Sequence, residues 1–307
     1  MTGHASNTPF CAAVDWGTTN LRVWLLDRTG AVRGERASGE GMRACMPDRF
    51  EAVLETHLDA LGAPADLPVI VAGMAGARGG WREASYRVAP VGLDALHEGA
   101  VIVPHATRDV RILPGICQRG PGREDVMRGE ETQLAGAVAQ GLADGLVCLP
   151  GTHSKWAAIE AGRLVSFTTF MTGELFAVIG GHTILKDTLG EGAFDPADPA
   201  FCGAVADMLA DGAALTGTLF SIRAAGLLDA AAAPHPRARL SGLLIGAEIA
   251  AARAAHGTGH DVGLVASGTQ AELYRTALGL AGFRSHVLDG GALVRRGLLD
   301  AARALWA

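Results

Sequence analysis

The chain has 307 residues, 49% of them hydrophobic and 19% charged, against about 25% charged in an average soluble protein, which suits closely packed α/β layers and excludes disorder. A net charge of -6 without any basic cluster excludes a nucleic-acid footprint. Five scattered cysteines without a CxxC pair predict reduced thiols. No signal-peptide pattern precedes Phe10 and no window reaches the roughly 18 apolar residues of a membrane helix, so a cytoplasmic protein without membrane contact is expected.

The first pattern in chain order runs from Cys11 to Asp27. Residues 11–15 form a short apolar run suited to a buried strand. Residues 21–26 alternate, with Leu21, Val23 and Leu25 on one side and Arg22, Trp24 and Leu26 on the other, which is a period-two strand. Between them Gly17, Thr18, Thr19 and Asn20 make a turn of small and hydroxyl residues. A positive φ at Gly17 is expected to aim the amides of Thr18, Thr19 and Asn20 at one point, where an anion fits. Asp15 beside that cradle makes sense if a hard divalent cation, typically Mg²⁺ with several waters, lies between it and a phosphate. The same residues also suit a plain hairpin whose Asp and Thr side chains satisfy the turn backbone.

A third strand is expected over 31–37, an amphipathic helix over 47–61 and a buried strand over 67–72. That strand runs into Gly73-Met74-Ala75-Gly76-Ala77-Arg78-Gly79-Gly80. Its glycines mark either a close approach of backbone to a ligand or a flexible connection. Short strands follow over 101–104 and 110–115. Glu130 and Glu131 then open a small-residue helix ending near Gly141, where a carboxylate either caps free amides or does chemistry.

The opening pattern then returns. Strand 146–150, the turn Gly151-Thr152-His153-Ser154-Lys155, strand 156–159 and strand 164–170 repeat its order, with Gly151-Thr152 answering Gly17-Thr18. This is an internal duplication. It predicts an α/β fold of two related lobes, 1–141 and 142–307, with phosphate hairpins facing each other across a cleft and the last helix able to pack back on the first lobe. A further helix opens near Glu174, and Asp195-Pro196 and Asp198-Pro199 mark turns in an irregular stretch over 190–211. Helices over 215–228 and 240–256 flank a loop containing Pro234 and Pro236. Strand 261–266, the loop Ser267-Gly268-Thr269-Gln270 and helix 271–280 place small residues where an open α/β sheet binds nucleotides. Strand 285–288 and a helix from 292 close the chain.

The order of these parts resembles the sugar kinase/hexokinase/actin superfamily. The strings VDWGTTNLRVWL, VAGMAGARGGW, VMRGEETQLAGA, LPGTHSKW, FMTGEL and SGLLIGAE together resemble the 2-dehydro-3-deoxygalactonokinase family over almost the full length, while no Walker A string and no GxGxxG after a strand is present. The resemblance implies two actin-like (ribonuclease H-like) lobes with ATP and substrate in the interdomain cleft. It implies transfer of the γ-phosphoryl of ATP to the primary C6 hydroxyl of 2-dehydro-3-deoxy-D-galactonate, a 2-dehydro-3-deoxygluconate or hexose kinase and an actin-like ATPase being the alternatives. Partners are then small molecules, with a homodimer as one form of the protein.

Carried over residue by residue, Asp15 would hold Mg²⁺ through water. Amides of Gly17, Thr18, Thr19 and Asn20 and of Gly151, Thr152, His153 and Ser154 would bind phosphates, with Lys155 either adding charge or standing solvated. Ser267, Gly268 and Thr269 would meet the adenosine, and Gly73, Met74, Ala75, Thr172, Gly173 and Glu174 the sugar acid. Where many relatives place an Asp near the second hairpin, this chain has Leu149 and Pro150. The expected base is therefore Glu131, then Glu130, then Asp15, with the helix N-terminus expected to lower the carboxylate pKa. A carboxylate substrate also requires a cation, for which Arg128, Arg78 and Arg22 are candidates.

Overall fold

The computed structural model describes residues 8–104, 106–229 and 235–307, so Pro234 and the residues before position 8 lie outside the described residues. The chain divides into two compact units, Met1–Asp144 with Ile159–Ser166 and Gly290–Ala307, and Gly145–Ala158 with Phe167–Asp289.

In the first unit β1 (Cys11–Trp16) pairs antiparallel with β2 (Leu21–Leu26), and β2 antiparallel with β3 (Val32–Ser38). On its other side β1 lies parallel to β4 (Val69–Gly73), which lies parallel to β5 (Val110–Ile112). Strand periodicity splits the core in two. Ala12, Val14, Val23, Leu25, Val69 and Val71 face one way, onto Phe50, Leu54 and Leu58 of helix α1 (Phe50–Ala60). Cys11, Ala13, Trp24, Leu26, Ile70 and Ala72 face the other way, onto Val294, Leu298 and Ala302 of the C-terminal helix Gly290–Trp306.

Helix α2 (Glu130–Ala139) also packs on the C-terminal helix, and glycine makes the crossing possible. A Cβ at Gly136 would fall inside the shell of the Leu293 carbonyl, and one at Gly297 inside that of the Thr132 carbonyl. The two backbones therefore touch with no side chain between them.

The second unit repeats the first sheet. Its strands are β6 (Gly145–Leu149), β7 (Ser154–Glu160), β8 (Arg163–Phe170), β9 (Asp261–Val265) and β10 (Arg284–Leu288), residues Ile159–Ser166 of β7 and β8 being counted with the first unit. The order β8-β7-β6-β9-β10 matches β3-β2-β1-β4-β5, again with parallel pairing from the first strand outward. The duplication expected from the sequence is thus present as topology. Helices α3 (Thr172–His182), α4 (Pro199–Ala210), α5 (Leu215–Leu228), α6 (Pro236–His256) and α7 (Gly268–Leu280) complete the unit. Their buried residues Phe201, Val205, Ile245, Ile249, Tyr274 and Leu278 pack with Leu146, Cys148, Val262 and Leu264 of the sheet.

Several expectations need correction. Asp198-Pro199 starts α4 instead of marking a turn: the Asp198 carboxylate accepts from the Ala200 amide at 2.8 Å and proline occupies the first helical position, an N-cap pattern. The residues expected as a loop at 268–270 form the first turn of α7. A three-stranded sheet of Arg87–Val88, Ile116–Gln118 and Asp125–Met127 was not foreseen, its strands being too short to show a period. No single helix among the described residues is long and apolar enough to cross a membrane.

The helix crossing can be tested by urea unfolding. Gly136→Ala and Gly297→Ala should each cost about 2 kcal/mol or more from overpacking. Gly203→Ala, in α4 with nothing within 4 Å of the new methyl, should be neutral or stabilising by about 0.5–1 kcal/mol. Equal losses in all three would refute the close crossing.

Candidate active site

In the first unit the candidate site sits at the carboxyl ends of the parallel strands β1 and β4, where Asp15 pairs with Ala72 and Trp16 with Gly73. The turn after β1 is held by its carbonyls. Gly17 O accepts from the Met42 amide at 2.9 Å, Thr18 O from Arg43 at 3.1 Å and Thr19 O from Gly41 at 3.2 Å. A Cβ at Gly41 would overlap the Thr19 backbone, so only glycine allows this approach. With the carbonyls engaged on one side, the Thr18 and Thr19 amides have no acceptor among the described residues. Gly17 is not in the positive-φ region that was expected. A Cβ there would press on Asn20 O at 3.3 Å, across the turn that the Gly17 amide closes with Asn20 O at 2.8 Å, so glycine relieves a tight contact. Beneath the turn the indole of Trp16 packs on Phe50 and Trp81 at 5.2 and 5.8 Å and donates from Nε1 to Glu40 O at 3.1 Å.

The loop after β4 is equally constrained. Gly73 has a φ of +93°, and a Cβ there would come within 2.6 Å of Trp16 O. A Cβ at Gly80 would come within 2.5 Å of Ala75 O and 2.7 Å of Met74 O. Gly129, at the start of α2 with a φ of +110°, approaches the Gly73 Cα. Asp15, the Gly73 loop and the start of α2 therefore converge.

The two glutamates at that helix start differ. Glu131 is 0% exposed, and its carboxylate turns back to accept from the Gly129 amide at 2.7 and 2.9 Å. Burial, with the neighbouring charge of Glu130 adding, pushes its pKa up to about 8. The expected lowering by the helix N-terminus is overturned, because desolvation outweighs the dipole and the amide bonds. Glu130 is half-buried, and its Oε2 accepts from the Arg128 amide at 3.1 Å. Burial also pushes the Asp15 carboxyl up, with Arg22, opposite it in the strand register, pulling it down and Glu130 pushing it up.

Of the cation candidates, Arg22 and Arg78 are exposed. Arg128 stacks over the Tyr86 ring at 4.5 Å and donates from Nη2 to Ala84 O at 2.8 Å. Its Nε and Nη1 are buried without an acceptor, and a Cβ at Gly76 would lie 2.8 Å from Nη1.

In the second unit the hairpin Gly151–Lys155 repeats the arrangement. Thr152 O accepts from the Glu174 amide at 2.9 Å and His153 O from Lys155 Nζ at 3.1 Å. A Cβ at Gly173 would overlap Gly151 O, so the start of α3 sits directly on the turn. Lys155 is only 4% exposed, not a solvated surface lysine. Glu174, expected at the sugar acid, bonds His153 Nε2 at 2.7 Å. Thr172, also expected there, gives its hydroxyl to Glu248. A cavity of about 450 Å³ runs from Gly151, Thr172 and Gly173 to Thr269 and Gln270 at the start of α7. Phe176, Phe194, Leu244 and Leu273 line its apolar part.

Two supporting residues were not found by the sequence reading. Gly41 was missed because its partner, Thr19, is 22 positions earlier. Glu248 lies inside the string SGLLIGAE, and a carboxylate in so apolar a helix was the available signal.

The Glu131 environment has a pH consequence. The folded state holds this proton more tightly than an unfolded glutamate of pKa near 4.3. Its contribution to stability is therefore complete below about pH 4.3 and is lost as pH rises toward 8. In urea unfolding, Glu131→Gln should gain on the parent chain by about 2–4 kcal/mol between pH 5 and pH 8.5. A difference independent of pH would refute the buried acid.

Comparison with known proteins gives one answer. A family model described as 2-keto-3-deoxy-galactonokinase matches residues 15–301. A Rhizobium meliloti (strain 1021) protein named "Probable 2-dehydro-3-deoxygalactonokinase" is 48% identical over 299 residues, 97% of this chain and 98% of that protein. The 2-dehydro-3-deoxygalactonokinase of Escherichia coli (strain K12) is 31% identical over 296 residues, 95% of this chain and 97% of the relative. A crystal structure from Sinorhizobium meliloti, of a protein described by the same activity, matches with a TM-score of 0.93 at 48% identity, over 97% of this chain and 99% of the other. The chain belongs to the 2-keto-3-deoxy-galactonokinase family.

Proposed function

We propose that the chain transfers the γ-phosphoryl group of ATP to the C6 hydroxyl of 2-dehydro-3-deoxy-D-galactonate. The observation that carries this reading is the cavity joining the second hairpin to the start of α7. It offers an apolar space for a base and ribose that ends at Gly151 of that hairpin. The relatives named for this activity support the acceptor.

In this reading the amides of Gly17, Thr18, Thr19 and Asn20 and of Gly151, Thr152, His153 and Ser154 bind phosphate oxygens. Phosphoryl transfer is mostly positioning and charge neutralisation, so such fixed donors are the main catalytic device. Thr269, at the start of α7, and the neighbouring Ser267 and Gly268 border the adenosine. Met74 and Ala75, held between Gly73 and Gly80, shape the acceptor side.

Among the described residues no cluster of three or more His, Cys, Asp or Glu could hold a metal. Mg²⁺ held largely by phosphates and water needs only one or two carboxylates, and Asp15, at the end of β1 beside the first turn, fits that need. Bound there, Mg²⁺ would neutralise charge on the transferring phosphate.

The base is reassigned from Glu131 to Glu130. Glu131 is sealed from solvent and protonated at neutral pH, whereas Glu130 stands at the rim of the same helix start. Glu131 instead locks the Gly129 backbone. Five free cysteines, four of them buried, suit a reducing compartment such as the cytoplasm.

The test is ADP release with Mg-ATP and a panel of 2-dehydro-3-deoxy acids, free hexoses and no acceptor. Turnover with the galactonate-derived acid and none with hexoses is expected. ATP hydrolysis indifferent to every acceptor would overturn the reading. Glu130→Gln should lower kcat about 10²-fold or more with the KM for ATP unchanged, and unaltered turnover would remove Glu130 from the base position.

A further inference from the structure

Glu248 is 2% exposed, inside α6, and accepts four hydrogen bonds from O–H and N–H donors besides a long one of 4.0 Å from Cys148 Sγ. Ser154 Oγ donates at 2.7 Å and Trp156 Nε1 at 2.9 Å to one carboxylate oxygen. Tyr274 Oη donates at 2.8 Å, and Thr172 Oγ1 also donates, to the other. Three of these donors belong to elements that border the candidate nucleotide cavity. Ser154 ends the second hairpin, Thr172 opens the helix that sits on that hairpin, and Tyr274 belongs to the helix whose start carries Thr269 and Gln270. Thr172 and Tyr274 themselves line the cavity.

A carboxylate used only to fill the core would be a poor choice, since an apolar side chain avoids its desolvation cost. A carboxylate surrounded by four donors does what an apolar residue cannot do: it fixes the rotamers and spacing of three separate elements at once. We propose that Glu248 is a positioning residue for the nucleotide, setting the second phosphate hairpin, the start of α3 and α7 in the arrangement that accepts ATP. This rests on the cavity being the nucleotide site. Glu248 acts through Ser154, Thr172 and Tyr274.

The test measures binding of a non-hydrolysable ATP analogue and of the sugar acid separately by calorimetry, alongside thermal unfolding. Glu248→Gln keeps the volume but replaces one acceptor oxygen with a donor. It should weaken the analogue about tenfold and leave the acid within about twofold. Tyr274→Phe, a milder change that removes one donor, should weaken the analogue about threefold. The double variant should be no weaker than Glu248→Gln alone, because the two act as one unit. Both affinities falling together, or neither changing while the unfolding midpoint drops, would overturn the proposal. If Glu248→Gln does not fold, the Tyr274→Phe split between the two ligands decides. A parent chain that binds no ATP analogue would instead defeat the reading of the cavity, a result distinct from a parent that binds and variants that match it.

Discussion

Both hairpins are held by their carbonyl oxygens. A peptide group points its N–H opposite to its C=O, so engaging the carbonyls from one side directs the amides to the other. In the first unit the Gly41–Arg43 segment takes three carbonyls, and in the second the start of α3 and the Lys155 ammonium take two. Each arrangement requires two backbones to come closer than a Cβ permits, which is why Gly41 and Gly173 stand where they do. The remaining architecture supports this contact. Trp16, Phe50 and Trp81 underlie the first turn, and the hydrogen-bonded Glu248 underlies the second.

Adjacent Glu130 and Glu131 show how environment, not residue type, assigns chemistry. The same helix start presents one carboxyl to the rim and buries the other against the Gly129 amide. Burying a charge costs more than a helix dipole returns, so the inner residue keeps its proton. The inner carboxyl, raised by burial and bonded to the Gly129 backbone, is suited to hold structure.

Much of the fold was legible in the sequence because its signals are local. Strand, Gly-Thr turn and strand repeat within short windows, and the two sheets follow the same order. The failures came from contacts distant in sequence. Nothing near Gly41 announces Thr19, and Ser154 bonds a carboxylate 94 residues away. Local rules also competed. Asp198-Pro199 fits both a turn and a helix start, and the following residues, buried against α6 at Phe201 and Val205, settled it as a helix. Gly17 eases a tight contact with Asn20 O and has no positive φ.

The loop after β4 bears on how this scaffold diversifies. Its path is set by backbone contacts at Gly73 and Gly80 that tolerate no added carbon. Under the proposed reading, in which this loop borders the acceptor, reshaping its main chain is closed, and selection is left with the side chains it displays, such as Met74 and Arg78. Divergence in acceptor choice is then expected to accumulate as point changes on a conserved trace, while insertions and deletions are tolerated elsewhere.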